Sequence, residues 1–269
     1  MRVSLVQLNS TRDVDDNLTT CQRLAEQAAD RGTDWILFPE NAPFLGGDGE
    51  KAEVAESLDG PMVEHFAAIA EAADAWVTLG SFPEQIDGER TYNTQVLFDP
   101  SGQQVEVYRK IHLFDVDVEG GRTFRESDHV EGGSELAWTD VETGGEQFRT
   151  GLTICYDLRF PELYRQLVDR GATVLTVPSA FTLQTGRDHW HPLLQTRAIE
   201  NQSWVLAPNQ WGHHFGHRSS YGHSSVYDPW GRRVACASDR ETVVHADIDA
   251  DYLEEVREQM PCLEHRTKF

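Results

Sequence analysis

The 269 residues carry 23 Lys plus Arg against 45 Asp plus Glu, a net charge of −22, with 39% hydrophobic and 10% aromatic residues. That apolar share can bury a core, so the charge alone does not argue for disorder, while it repels nucleic-acid phosphates and anionic lipid surfaces and excludes both as partners. No linker-like stretch divides the chain, and a single α/β domain over residues 1–269 is expected.

Only Lys51, Lys110 and Lys268 are lysines. An acid-rich, lysine-poor composition fits a protein kept soluble in a high-salt cytoplasm, where screening removes self-repulsion; the alternative is an ordinary acidic cytosolic protein. Cys21, Cys155, Cys236 and Cys262 form no C-x-x-C pair, so neither a zinc knuckle nor a disulfide framework is indicated. Residues 1–9 alternate like a strand and lack the apolar run of a signal peptide, and no later segment approaches a membrane span. A cytoplasmic protein is expected.

In chain order, the opening strand is followed by a helix over Asp15–Ala29, with Leu18, Cys21, Leu24, Ala25 and Ala28 at helical spacing and Gly32 as a stop. Trp35–Phe38 reads as a buried strand ending at Pro39-Glu40. A helix over Pro61–Ala73 leads to a strand over Trp76–Gly80, and Tyr92–Asp99 with Gln103–Tyr108 reads as a hairpin. Arg149–Ile154 is a strand, Pro161–Asp169 a helix stopped by Gly171, and Thr173–Val177 a strand. Gln195–Asn201 closes another helix, Trp204–Ala207 is a strand, and Ser224–Asp228 with Val234–Ala237 forms a hairpin turned at Pro229-Trp230-Gly231. This alternation predicts mixed sheets covered by helices, with functional side chains just past strand ends.

Three polar residues meet that description. Cys155 lies where a strand stops and a helix begins at Pro161, an elbow that lifts a nucleophile out of a sheet, although a free cysteine taken alone is more often a small buried hydrophobe. Lys110 sits at a strand end, whereas Lys51 falls in a Gly-rich loop and Lys268 at the penultimate position, where nothing constrains the choice. A lysine retained at a strand end suits a compact ammonium charge, the alternative being a solvated strand terminus. Glu40 follows an apolar run and a proline, so burial would raise its carboxyl toward a general base unless a cation lowers it again; a plain loop glutamate is the alternative.

Gly222-His223-Ser224-Ser225-Val226 lacks the second glycine of a serine-hydrolase elbow. His213, His214, His217 and His223 lie among Gly, Ser and Phe with no carboxylate or cysteine at ligand spacing, and read as a polar loop. No G-x-G-x-x-G or P-loop follows a predicted strand.

Together these segments resemble the nitrilase superfamily of carbon–nitrogen hydrolases, whose Glu, Lys and Cys occur in this order. The matching contexts are Leu37-Phe38-Pro39-Glu40-Asn41, Tyr108-Arg109-Lys110-Ile111-His112-Leu113-Phe114-Asp115 and Cys155-Tyr156-Asp157-Leu158-Arg159-Phe160-Pro161-Glu162-Leu163. A second glutamate corresponds to Glu126 in Thr123-Phe124-Arg125-Glu126-Ser127. Ser179-Ala180-Phe181-Thr182 is similar to the branch of deaminated glutathione amidases and omega-amidases, and Ser220-Tyr221-Gly222-His223-Ser224, Asp228-Pro229-Trp230-Gly231 and Arg197-Ala198-Ile199-Glu200 lean toward its deaminated glutathione amidase side.

The resemblance implies an α/β fold, the four-layer αββα sandwich of the nitrilase-like proteins, paired into a homodimer or higher homo-oligomer, with no metal or organic cofactor. It implies Glu40, Lys110, Cys155 and Glu126 as catalytic residues, and Tyr156, Ala180, Phe181 and Thr182 beside the substrate. It reads Arg159 and Glu162 as a structural pair. The implied activity is hydrolysis of a small carboxamide, resembling deaminated glutathione or an omega-amide of a 2-oxo acid, to carboxylate and ammonia through a thioester. An N-carbamoyl amidohydrolase, transfer of the acyl group to an amine, and a catalytically idle scaffold are the alternatives; four filled catalytic positions argue against the last. The tail Met260-Pro261-Cys262-Leu263-Glu264-His265-Arg266 and the His-rich stretch Trp211–Arg218 depart from the family pattern.

Overall fold

The computed structural model describes residues 1–86, 90–118 and 122–267, so Lys268 lies outside the described residues. Strand β1 (Arg2–Gln7), helix α1 (Val14–Ala29) and strand β2 (Trp35–Leu37) form the opening β-α-β unit. Asp13 caps α1 by accepting from the Asp16 N–H at 3.0 Å, and Asp15 and Asp16 favour its positive first turn. A short helix α2 (Lys51–Val54) precedes α3 (Pro61–Ala73), which has Pro61 in its first turn.

Next come β3 (Trp76–Gln85), β4 (Thr91–Phe98) and β5 (Gln104–Arg109), an antiparallel run. The strand expected over Trp76–Gly80 continues to Gln85 because a register shift between Leu79 and Phe82 carries the pairing past Gly80. Strands β6 (Asp115–Val118), β7 (Arg122–Arg125), β8 (Val130–Glu131), β9 (Trp138–Thr143) and β10 (Glu146–Leu152) lead to α4 (Pro161–Asp169) and β11 (Val174–Thr176).

Helix α5 spans Leu183–Asn201, and the Gln195–Asn201 segment expected to close a helix is its C-terminal part. It buries Gly186, Trp190, Leu194, Arg197, Ala198 and Asn201 on one stripe, but a glycine, an arginine and Pro192 blur that stripe in the sequence. Strand β12 (Trp204–Ala207) follows, and the His-rich stretch expected to be a loop is a hairpin of β13 (Trp211–Phe215) and β14 (Arg218–Tyr221). Strands β15 (Ser225–Tyr227), β16 (Arg233–Cys236) and β17 (Thr242–Asp247) and helix α6 (Ala250–Gln259) end the order; the last two were not anticipated.

One sheet runs β17-β1-β2-β3-β4-β5 with β8 on β4, the other β16-β15-β12-β11-β10-β9. Period-two alternation sorts the first sheet's side chains: Val3, Leu5, Trp35 and Leu37 join a core with Phe148, Leu152 and Leu175 of the second sheet, whereas Val6, Ile36 and Phe38 pack under α1 and α3. Helices α4 and α5 close the second sheet through Tyr164, Leu167, Trp190 and Leu194. The result is the αββα layering expected from the sequence. No helix among the described residues is long and apolar enough to cross a membrane.

Glu40, Lys110 and Cys155 follow the C-terminal ends of β2, β5 and β10. Two glycines let the backbone close around them: a Cβ on Gly80 would lie 2.1 Å from the Phe38 carbonyl oxygen and 2.4 Å from that of Pro39, and one on Gly133 would lie 2.2 Å from that of Arg109. Gly80→Ala must therefore push apart β3 and the segment carrying Glu40. Chemical denaturation is expected to show a loss of about 3 kcal/mol, at the upper end of ordinary overpacking; an unchanged midpoint would contradict this close approach.

Candidate active site

At the floor of the site lies a buried chain of charges. Lys110 Nζ donates to Glu40 Oε1 at 2.9 Å and to Glu126 Oε1 and Oε2 at 3.1 and 2.9 Å. Asn93 Nδ2 bridges the same two carboxylates at 2.9 and 3.3 Å. Backbone N–H groups complete them: Ala180 donates to Glu40 Oε2 at 2.8 Å and Phe114 to Glu126 Oε2 at 2.7 Å. Glu40, Lys110 and Glu126 are 3%, 2% and 5% exposed, so their charges persist only because they satisfy one another.

These contacts set the protonation states. Burial pushes the Glu40 carboxyl up, but the charge and hydrogen bond of Lys110 bring it below its ordinary 4.5. Burial likewise opposes ionisation of Glu126, yet the charges of Lys110 and Lys51, with hydrogen bonds from Lys110 and Phe114, hold it at about 2. Lys110 pays for burial in the opposite sense, and the carboxylates of Glu126 and Glu40 keep it well above 10.5. The Cys155 thiol is raised, first by burial and next by the charge of Glu40, which Lys110 only partly offsets. These directions place a carboxylate beside a protonated thiol at neutral pH, with an ammonium alongside.

Cys155 opens a short 3₁₀ turn, Cys155–Arg159, with its own backbone in the left-handed region at φ 48°. A non-glycine residue pays about 1 kcal/mol or more to stay there, so neighbours must hold the turn. Asp157, fully buried, does much of this. Its Oδ2 accepts from the Ile154 N–H at 2.9 Å and the Tyr108 hydroxyl at 2.7 Å, and its Oδ1 from His112 N and Nδ1 at 3.1 and 2.7 Å. One carboxylate thus fastens the Cys155 turn to residues on both sides of Lys110. From the other side, the Arg197 guanidinium of α5 donates twice to the Leu158 carbonyl, at 3.1 and 2.7 Å.

Above this floor lies a cavity of about 430 Å³, within the usual range for small-ligand sites. Tyr156, Ala180, Phe181 and Thr182 line it, together with Phe114, Lys51, Arg159 and Arg218. Arg159 lies over the Phe181 and Tyr156 rings at 5.3 and 5.8 Å, and Arg218 lies over Phe124 at 5.4 Å.

The carbon-nitrogen hydrolase family model matches residues 2–258. The chain belongs to that family. A relative named deaminated glutathione amidase, from Synechocystis, is 41% identical over 263 residues, 97% of this chain and 96% of its own. Among solved structures, the Caenorhabditis elegans NitFhit protein superposes with a TM-score of 0.90 at 36% identity. That match covers 98% of this chain and only 64% of the longer NitFhit chain. Saccharomyces cerevisiae Nit3, a member of branch 10 of the nitrilase superfamily, gives a TM-score of 0.86 at 29% identity over 97% of this chain and 94% of its own.

In this carbon–nitrogen hydrolase the sequence-predicted Glu40, Lys110, Glu126 and Cys155 come together in one buried group. Two expectations need correction. Lys51 is not an unconstrained loop lysine: it opens α2, is 6% exposed, lines the cavity, and its charge acts on Glu126. Arg159 is not merely structural, because it faces the cavity across two aromatic rings, whereas Glu162 stands exposed in the first turn of α4. Sequence reasoning also missed Asn93 and Asp157, whose roles depend on contacts 53 and 45 residues away in the chain.

Asp157 presents only acceptors to four donors, a pattern that an amide cannot reproduce. Asp157→Asn is expected to cost about 3 kcal/mol in denaturant unfolding and to slow turnover by about tenfold or more as the Cys155 turn shifts. Full activity with unaltered stability would show that the turn does not depend on this carboxylate.

Proposed function

We propose that the chain, acting as one carbon–nitrogen hydrolase unit over residues 1–269, is an amidase that hydrolyses a small linear carboxamide bearing a distal carboxylate. The observation that supports it best is Lys110 held between Glu40 and Glu126 in one buried group with Cys155, where the Lys110 charge lowers the Glu40 carboxyl while burial and Glu40 raise the thiol. Glu40 takes the thiol proton as Sγ attacks the amide carbonyl carbon. The Lys110 ammonium and the Tyr156 backbone N–H stabilise the resulting oxyanion. Collapse breaks the C–N bond, Glu40 returns the proton to the leaving nitrogen, and ammonia departs. Water then gives a proton to Glu40 and attacks the thioester, releasing the carboxylate and restoring the thiol. Glu126 holds Lys110 in place throughout.

The cavity wall supports this substrate class. Arg159 and Lys51 supply positive charge beside the aromatic faces of Phe114 and Phe181, which suits an anionic acyl chain such as that of a 2-oxo-acid amide or deaminated glutathione. The relatives' deaminated glutathione amidase name points the same way. The reading extends to a cytoplasmic homodimer in a salt-rich cell: the net charge is −22, and Ile199 and Trp230 stay 49% and 41% exposed on the single chain.

The experiment is ammonia release over 2-oxo-acid amides, omega-amides, N-carbamoyl amino acids and nitriles, with sedimentation in parallel at about 1 M and about 0.1 M KCl. Carboxylate-bearing amides are expected to turn over fastest, Cys155→Ala to fall below about 1% of the wild-type rate, and Arg159→Gln to raise KM for the anionic amide by about tenfold while sparing an uncharged one. Preference for N-carbamoyl compounds, or substantial turnover without Cys155, would overturn the reading. An intact dimer at both salt concentrations would refute the salt adaptation alone.

A further inference from the structure

Away from the cavity, three potential metal ligands converge from separate elements: His191 on α5, His223 just before β15, and Cys236 at the end of β16. One ligand atom from each lies within 4.8 Å of the other two. The β15–β16 pairing brings Cys236 opposite Ser225, and His223 adopts left-handed backbone at φ 56°, which a non-glycine residue keeps only when held. It is held: its carbonyl accepts from Trp190 Nε1 at 2.9 Å and from Ser225 Oγ at 2.7 Å.

Each imidazole also has an oxygen partner that orients it. His223 Nε2 lies 3.1 Å from Asp239 Oδ1, which leaves Nδ1 toward Cys236 Sγ at 3.8 Å. His191 Nδ1 lies 2.9 Å from the Tyr227 hydroxyl. In protein metal centres a carboxylate on the ring nitrogen opposite the ligating one fixes the tautomer and direction of the histidine, and Asp239 holds that place on His223. Neighbouring N and S ligands of a tetrahedral ion are roughly 3.3–3.6 Å apart, so a shift of about 1 Å by the exposed Cys236 and half-buried His191 would close the set.

We propose that His191, His223 and Cys236 form a binding site for a borderline-soft divalent cation of the zinc class, with Asp239 positioning His223 and the fourth place open to water. On binding, Cys236 releases its proton to solvent and becomes the thiolate ligand. Two imidazoles and a thiolate select against magnesium and calcium, which require oxygen donors. Arg233 opposes the cation, because its guanidinium nitrogen lies 3.3 and 3.1 Å from the two ring nitrogens of His191. It is exposed on an edge strand and swings aside when the ion enters. A bound ion fastens α5 to the β15–β16 hairpin. His213 and His214, which the sequence grouped with His223, bond instead to Gly216, Ser10 and Ser220.

The test uses chelator-treated full-length Cys155→Ala protein, so that the buried thiol cannot supply the signal, titrated with Co²⁺ alone and then with Zn²⁺ in competition. One equivalent of Co²⁺ is expected to give a thiolate-to-cobalt charge-transfer band that Zn²⁺ abolishes. The band is lost in Cys236→Ser, retained in Cys262→Ser, and weakened about tenfold or more in affinity by Asp239→Asn; Arg233→Gln strengthens binding. Absence of the band, its survival in Cys236→Ser, or its loss in Cys262→Ser would overturn the site. Circular dichroism on each variant separates a failure to bind from a failure to fold.

Discussion

A single ammonium group organises this protein's centre. Lys110, buried at the end of β5, can keep its charge only between Glu40 and Glu126, and those carboxylates can be buried only because the ammonium lies between them. Asn93 and two backbone N–H groups take up further acceptor positions, but none of them carries charge, so removing Lys110 would leave two buried carboxylates without the ammonium they share. Lys51 adds a second buried positive charge beside Glu126. Ionising the buried sulfur would place a further negative charge beside that of Glu40.

The surrounding fold serves that arrangement by bringing three strand ends together. Gly80 and Gly133 permit close backbone approaches beside Glu40 and Lys110. Asp157 and Arg197 grip the turn bearing Cys155 from opposite sides, so its left-handed backbone is over-determined by contacts to β5 and α5. The position of Cys155 thus depends on residues outside the cavity lining.

What the sequence made legible, and what it hid, divides along local and non-local lines. Glu40, Lys110 and Cys155 could be read because each follows a short apolar strand, and Glu126 because a family motif surrounds it. The β-α-β opening and the β15–β16 hairpin were visible through period and turn residues. Lys51 was misread because spacing along the chain cannot reveal that α2 packs against the cavity. Helix α5 was truncated because Gly186, Pro192 and the buried Arg197 interrupt its apolar stripe; Gly186 is there because a Cβ would meet the Tyr221 side chain at 2.4 Å. The juxtaposition of His191, His223 and Cys236 joins a helix to two strands and has no local signature.

The central claim is that Cys155 rests as a neutral thiol beside an ionised Glu40. Its most direct test is the thiolate ultraviolet absorbance of native protein minus that of Cys155→Ala, followed from mildly acidic to alkaline pH while circular dichroism verifies the fold. No thiolate difference signal is expected at neutral pH, with ionisation deferred beyond the ordinary 9.0 of a free thiol. A full thiolate signal at pH values near neutrality would mean that Lys110 pairs with the sulfur instead of the carboxylates, and would contradict it.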